Sequence, residues 1–183
     1  MIYFISKWWK EIDKVSFLII ILITIIGVVL SYSVNKNFSF LNKHMLYSIS
    51  AIIIMMIISM ADVKILRRLS LVAFLAFTIM LVIILLLDYQ IKGSKRWIKF
   101  YNFTLQPSEF IKPFFLILSA WFLSKGIEGR RFYLSILFLN FFLIASLIIL
   151  QPDFGMTILF AISFFCQLFI AGLSIFFVII AIS

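Results

Sequence analysis

The chain has 183 residues, 65% of them hydrophobic and 13% charged; a water-soluble domain of this length cannot hide so much apolar surface, so lipid must solvate much of it. The formal net charge of +9 would suggest nucleic acid as a partner of a soluble protein, but in a membrane protein basic residues flank the spans and hold the topology, which removes that reading. One cysteine, Cys166, and one histidine, His44, exclude a disulfide framework, a thiolate metal site and a histidine metal cluster.

In chain order, Lys7, Lys10 and Lys14 precede the first apolar run, together with Trp8 and Trp9. The two tryptophans suit an interfacial anchor at the cytoplasmic face. The run is long and no small-x-small cleavage site follows it, so it reads as a retained span and not a signal peptide. Six apolar runs are taken as membrane spans: Val15–Tyr32, Met45–Ala61, Leu69–Leu87, Phe110–Leu123, Phe132–Leu150 and Phe154–Ala171. At about 1.5 Å per residue, runs of this kind can cross a hydrocarbon core of about 30 Å. Because backbone polar groups cannot stay unpaired in lipid, the spans are expected to be α-helices. The fourth is short, and Pro107 and Pro113 near its start are expected in a first turn or at a kink. A seventh run begins at Leu173 and is still apolar at Ser183; eleven residues are too few to span, and the expectation is a truncated chain.

Alternating spans place Lys7, Lys10, Lys14, Lys64, Arg67, Arg68, Lys125, Arg130 and Arg131 on one side, which is therefore assigned to the cytoplasm. The third connection, Asp88–Glu109, falls on the external side and yet contains Lys92, Lys95, Arg96 and Lys99. The positive-inside rule disfavours that placement, so something other than topology must maintain it. Gly93-Ser94 permits a tight turn, and Trp97, Ile98, Phe100 and Tyr101 give surface suited to an interface. Two readings stand side by side: an amphipathic loop helix lying on anionic headgroups, or a basic site for a phosphate or pyrophosphate, with Arg96 offering a bidentate fork. In Gln106-Pro107-Ser108-Glu109, Ser108 or a neighbour can cap the next helix while Glu109 complements its dipole; alternatively Glu109 and Lys112, three residues apart on one helix face, meet a polar cavity. The fifth connection, Gln151-Pro152-Asp153, is a tight external turn in which capping is the default role for Asp153 and substrate contact the minority one. Gly155 is expected to let backbones approach closely. Asp62 and Glu128 read as solvated loop charges.

Three segments together, Gly93-Ser94-Lys95-Arg96-Trp97-Ile98, Leu105-Gln106-Pro107-Ser108-Glu109 with Lys112, and Gln151-Pro152-Asp153-Phe154-Gly155, resemble the SEDS family of membrane proteins (FtsW, RodA and SpoVE). Within it, Trp8-Trp9-Lys10-Glu11-Ile12-Asp13-Lys14 and Ser119-Ala120-Trp121 resemble the alphaproteobacterial FtsW branch more than the RodA branch. The resemblance implies an all-α polytopic fold, with residues 1–183 as one integral membrane domain holding six transmembrane helices and the start of a seventh out of ten.

It also implies a peptidoglycan glycosyltransferase of the bacterial inner membrane, with a cytoplasmic N-terminus and a place at the division septum. A general base would activate a sugar hydroxyl of one lipid II to attack the anomeric carbon that carries undecaprenyl pyrophosphate on another. A class B penicillin-binding protein and other divisome proteins would be its partners, alongside lipid II and membrane lipids. The family's presumed catalytic aspartate lies in a later external loop, so none of Asp88, Glu109 or Asp153 is taken as the base. Lys95, Arg96, Trp97, Gln106, Ser108, Glu109, Lys112, Gln151 and Asp153 are the candidate substrate-binding residues. This segment requires no cofactor and no metal; a divalent cation is allowed only for the full-length enzyme. A RodA-like elongation polymerase, a lipid II flippase and a non-catalytic divisome scaffold are the competing functions.

Overall fold

The computed structural model describes residues 8–10, 12–35, 38–87, 96–100 and 103–172. The chain divides into two compact units, Met1–Asp62 and Val63–Ser183. The first unit contains α1 (Lys14–Asn35) and α2 (Phe38–Ser59). The second contains α3 (Val63–Leu87), the strands β1 (Ile98–Phe100) and β2 (Phe103–Leu105), α4 (Pro107–Ile127), α5 (Arg131–Leu150) and α6 (Phe154–Ile170). Five of the helices, α1 to α5, are long and apolar enough to cross a membrane, and α6 is a shorter apolar helix of 17 residues. The protein is thus a multi-pass helical membrane protein. The run from Leu173 onward lies outside the described residues, as do Lys92, Gly93, Ser94 and Lys95.

In the first unit, Asp13 caps α1: its carboxylate accepts the Val15 amide at 3.1 Å and the Ser16 hydroxyl at 2.5 Å. The hydroxyl first, and then the amide, hold the Asp13 carboxyl below its ordinary value. A lowered carboxyl contributes to stability above its ordinary pKa and loses that contribution as the pH falls through the folded value, so this cap opens only in acid. Trp8 does not act as a lipid-facing anchor here. It is buried, and its indole N–H donates to the Ser59 hydroxyl at 2.7 Å, tying the segment before α1 to the end of α2. Trp9 remains exposed and packs edge-on to Phe17 at 6.0 Å.

In the second unit the apolar stripes of four helices meet in a phenylalanine core. Phe115 of α4 is the hub, with ring centroids 4.7 Å from Phe160, 5.7 Å from Phe164, 6.3 Å from Phe74 and 6.5 Å from Phe141. Phe141 and Phe164 stack at 4.3 Å, close to the short limit for offset aromatic pairs. Leu81, Ile111, Leu118, Leu123, Leu137, Ile144, Ile148 and Leu168 complete the buried cluster. One polar tie crosses this interior: the Gln167 amide donates to the Leu116 carbonyl at 2.8 Å, and the Ser119 hydroxyl donates to the Gln167 side-chain oxygen. Where lipid offers no water, such a tie satisfies groups that would otherwise stand unpaired.

Several boundaries differ from the sequence reading: α2 begins at Phe38 and not Met45, and α3 at Val63 and not Leu69. The fourth span runs from Pro107 to Ile127, longer at both ends than Phe110–Leu123. Pro107 starts the helix in its first turn, where a missing N–H costs nothing, and Pro113 lies inside it. The polar Ser124 and Lys125, which ended the hydropathy run, simply continue the helix. The described part of the third connection is an antiparallel hairpin, with Ile98 opposite Leu105 and Phe100 opposite Phe103; that corrects the loop-helix reading for these residues. The apolar-polar-apolar order of Ile98-Lys99-Phe100 and Phe103-Thr104-Leu105 in the sequence suits a strand period of two.

Gly126 marks the close approach of α4 and α5. A Cβ there would collide with Cδ2 and Cγ of Leu134; the Cδ2 methyl can rotate, but Cγ is bonded directly to the leucine's own Cβ and cannot clear the space without a change of rotamer or a backbone shift. Helix propensity favours Ala over Gly by about 1 kcal/mol, whereas overpacking costs about 1–3 kcal/mol. We expect Gly126→Ala to lower the thermal midpoint in detergent, and Leu134→Ala in the same chain to restore part of the loss. A raised midpoint for Gly126→Ala would show that Leu134 gives way.

Candidate functional site

The three segments singled out in the sequence converge at one end of the second unit. Two of them lie at helix boundaries, where polar groups have a structural reason to gather. Arg96 lies in the turn leading into β1. Gln106 sits between β2 and α4, with Pro107 and Ser108 opening that helix. Gln151 and Pro152 form the turn after α5, and Asp153 is the N-cap of α6.

Asp153 is the centre. Its Oδ1 accepts the Met156 amide at 3.3 Å, the cap expected from the sequence. Its Oδ2 accepts the Gln106 side-chain amide at 3.2 Å and faces Arg96 Nη1 at 3.0 Å. The same Gln106 amide donates to the Ser108 hydroxyl at 3.1 Å. Asp153, Gln106 and Ser108 are all buried, whereas the Arg96 side chain is 34% exposed. One carboxylate thus joins the hairpin, the start of α4 and the start of α6. Beside it, fully buried Gln151 donates from its amide to the Leu81 carbonyl of α3 at 3.4 Å. This turn therefore also holds the third helix.

The electrostatics define what the cluster can do. Asp153 accepts every hydrogen bond described for it and has a guanidinium beside it, so its carboxylate is engaged as a counter-ion. Arg96 spends one of its five donors on Asp153; its Nε is buried without a partner among the described residues. Gln151 Oε1 is likewise buried and unpartnered among them. A group carrying oxygens would satisfy the arginine donor, and a hydroxyl or amide would satisfy the glutamine acceptor. No group of three or more His, Cys, Asp or Glu that could hold a metal occurs among the described residues. A divalent cation does not fit this cluster, whose buried acid is already paired with arginine.

Of the candidate residues, Arg96, Gln106, Ser108 and Asp153 come together, Gln151 lies in the same turn, and Lys95 lies outside the described residues. Trp97 follows Arg96 and is half-buried. Glu109 is exposed in the first turn of α4, where a carboxylate complements the helix dipole. Glu109 and Lys112 form no ion pair: the ammonium of Lys112 lies 3.2 Å from the Met156 sulfur, a weak acceptor. Gly155 also departs from expectation. A Cβ there would meet nothing within 4 Å, so no close backbone approach explains this glycine.

What the sequence reading missed is the pairing of Arg96 with Asp153. A signal for it exists. An acid in a short turn without basic residues, and a basic connection that alternating spans assign to the same side, are electrostatic complements.

A family described as Cell cycle protein, comprising FtsW, RodA and SpoVE, matches residues 13–183. A probable peptidoglycan glycosyltransferase FtsW of Caulobacter vibrioides is 29% identical over 93% of this chain and 47% of its own length. Its counterpart from Trichlorobacter lovleyi is 28% identical over 92% of this chain and 48% of its own length. The Wigglesworthia glossinidia brevipalpis protein of the same name is 27% identical over 89% and 46%, respectively. The chain spans about half the length of the curated relatives it matches. No solved structure matches it.

Removing one partner of a buried pair strands the other; because Arg96 is about a third exposed, the full buried-pair penalty is reduced by solvent, leaving about 1–3 kcal/mol with the lost cap included. We expect Asp153→Ala to lower the detergent unfolding midpoint more than Asp153→Asn, which keeps a side-chain acceptor for the cap. Equal midpoints for Asp153→Ala and the parent chain would show that the carboxylate holds nothing together.

Proposed function

We propose, because this chain belongs to the FtsW, RodA and SpoVE family of cell cycle proteins, that it forms part of a peptidoglycan glycosyltransferase that polymerises lipid II during cell division. The names of its relatives support the chemistry, and the preference for the FtsW branch over a RodA-like elongation role rests on those names as well. The setting we infer is the bacterial inner membrane at the septum, with a cytoplasmic N-terminus, a class B penicillin-binding protein and other divisome proteins as partners. No cofactor is assigned to this segment.

The observation that carries the proposal is the Arg96–Asp153–Gln106 cluster, which gathers the three motif segments at one end of the helices. Polymerisation releases an undecaprenyl pyrophosphate, whose negative charge grows as the glycosidic carbon–oxygen bond to it breaks. Preorganised donors directed at developing charge lower such a barrier more than donors that must reorganise. Asp153 holds Arg96 by one Nη, leaving the guanidinium's other donors for a pyrophosphate oxygen. Asp153 is a positioning residue in this reading, and Gln106 orients its carboxylate. Lys95 adds charge from the adjoining position. Trp97 gives the headgroup an amphipathic wall, Lys112 a cation not taken up by Glu109, and Ser108, Glu109 and Gln151 polar contacts around it. The base that deprotonates the acceptor sugar is not assigned among these residues.

The test uses a full-length protein carrying this segment, purified with its partner and supplied with lipid II in detergent. Polymer without a sealed bilayer is the expected product. Transport confined to sealed vesicles, with no polymer, would instead favour a flippase, and partner recruitment alone a scaffold. Loss of a donor to developing charge costs about 10²–10³ in rate; Arg96→Ala is expected to cut polymer synthesis by about that factor while expression falls far less. Parallel losses of expression and polymer would remove Arg96 from the reaction.

A further inference from the structure

We propose that the end of the second unit where α3 begins and α4 turns into α5 is a binding site for the phosphate headgroup of an anionic phospholipid. The stretches 62–68 and 125–131 hold six cations, Lys64, Arg67, Arg68, Lys125, Arg130 and Arg131, against the two acids Asp62 and Glu128. Glu128 is taken up by Lys125, whose ammonium lies 2.6 Å from the carboxylate. The Lys125 hydrogen bond is also the leading reason that the Glu128 carboxyl is held below its ordinary value.

Arg67 separates this surface from an ordinary set of topological charges. A cation that serves only topology extends into water. Arg67 is half-buried, with its guanidinium carbon 4.7 Å from the centroid of the Trp121 ring. No carboxylate lies within ion-pair distance of it among the described residues. Stacking on an aromatic face uses the plane of the guanidinium and leaves its in-plane N–H groups free, the arrangement that grips two phosphate oxygens at once. Trp121 in turn meets Tyr133 edge-on at 5.6 Å, and the Tyr133 amide donates to the Arg130 carbonyl at 3.0 Å. Arg67 and the Arg130–Arg131 pair are therefore linked through two aromatic rings at the boundary of three helices.

The two arginines of the turn are exposed, as are Lys64 and Arg68. Tryptophan and tyrosine favour the headgroup level of a bilayer, where one side of the ring is apolar and the other wet. Basic pockets between transmembrane helices bind anionic headgroups by this combination of charge and ring. The site lies apart from the Arg96–Asp153 cluster in sequence and composition, and its test does not depend on glycan synthesis.

Native mass spectrometry of the purified chain, with phosphatidylglycerol, cardiolipin or phosphatidylcholine added in turn, reads the site directly. We expect anionic lipid to be retained over phosphatidylcholine. Retention should fall by about fivefold for each cation removed among Arg67, Arg130 and Arg131, with each replaced by glutamine. Arg67→Lys, which keeps charge but loses the planar stack, is expected to fall between the parent and Arg67→Gln. Equal retention of anionic and zwitterionic lipid would overturn the proposal. So would an equal loss in Lys10→Gln/Lys14→Gln, because that would mean net charge alone holds the lipid. Inorganic phosphate displacing the lipid completely at equimolar concentration would also overturn it, by showing a site for the free anion.

Discussion

Inside a bilayer a backbone N–H or C=O has no water to turn to, and leaving one unpaired costs several kcal/mol. That constraint explains the six helices, and it also explains where the polar side chains stand. A helix satisfies its own middle and leaves orphan groups at each end. Polar residues therefore gather at the boundaries: Asp13 at the start of α1, Gln106 and Ser108 at the start of α4, and Gln151 and Asp153 between α5 and α6. The cluster with the most chemical potential in this chain is built from helix ends that had to be capped in any case.

Capping and function coincide most closely at Asp153. One of its carboxylate oxygens serves the backbone of α6, and the other faces Gln106 and Arg96 from distant parts of the chain. A capping side chain with a second lone-pair face is cheap to recruit as a counter-ion, because its rotamer is already restrained. The result is that Arg96 does not stand as free charge: it is drawn against the helical bundle, and the hairpin follows it. Pro113 adds a smaller irregularity nearby, since it supplies no N–H to the Glu109 carbonyl one turn earlier.

The opposite end of the second unit has a different balance. There the cations outnumber the acids, and aromatic rings, not carboxylates, hold the central arginine. Two arginines in one small bundle thus stand in two electrostatic environments. Arg96 is held by Asp153 through one Nη, while Arg67 stacks over Trp121. A carboxylate partner fixes where an arginine's other donors point, and an aromatic partner leaves its charge uncompensated; the distinction comes from the partner and not from the residue type.

The helical, membrane-spanning kind of these segments was legible from composition and run length, because the hydrophobic requirement acts on every residue of a span and leaves its mark locally; five of the six runs fall on helices long enough to cross, and the sixth on a shorter one. The cap at Asp153 was legible for the same reason, as it depends on neighbours three residues away. Local rules also misplace things. The fourth span was cut short where Ser124 and Lys125 lower the hydropathy, although helix geometry runs through them to Ile127. Gly155 was credited with a close approach that belongs to Gly126, whose obstacle, Leu134, lies on another helix. Trp8 was read with Trp9 as an interfacial anchor, and only the fold brings Ser59 to its indole. By itself the sequence determined that this is a helical membrane protein and which segments carry polar chemistry at helix ends. Only the tertiary structure decided that Arg96, Gln106 and Asp153 share one carboxylate, because an ion pair between residues so far apart depends on packing distances that no local periodicity encodes.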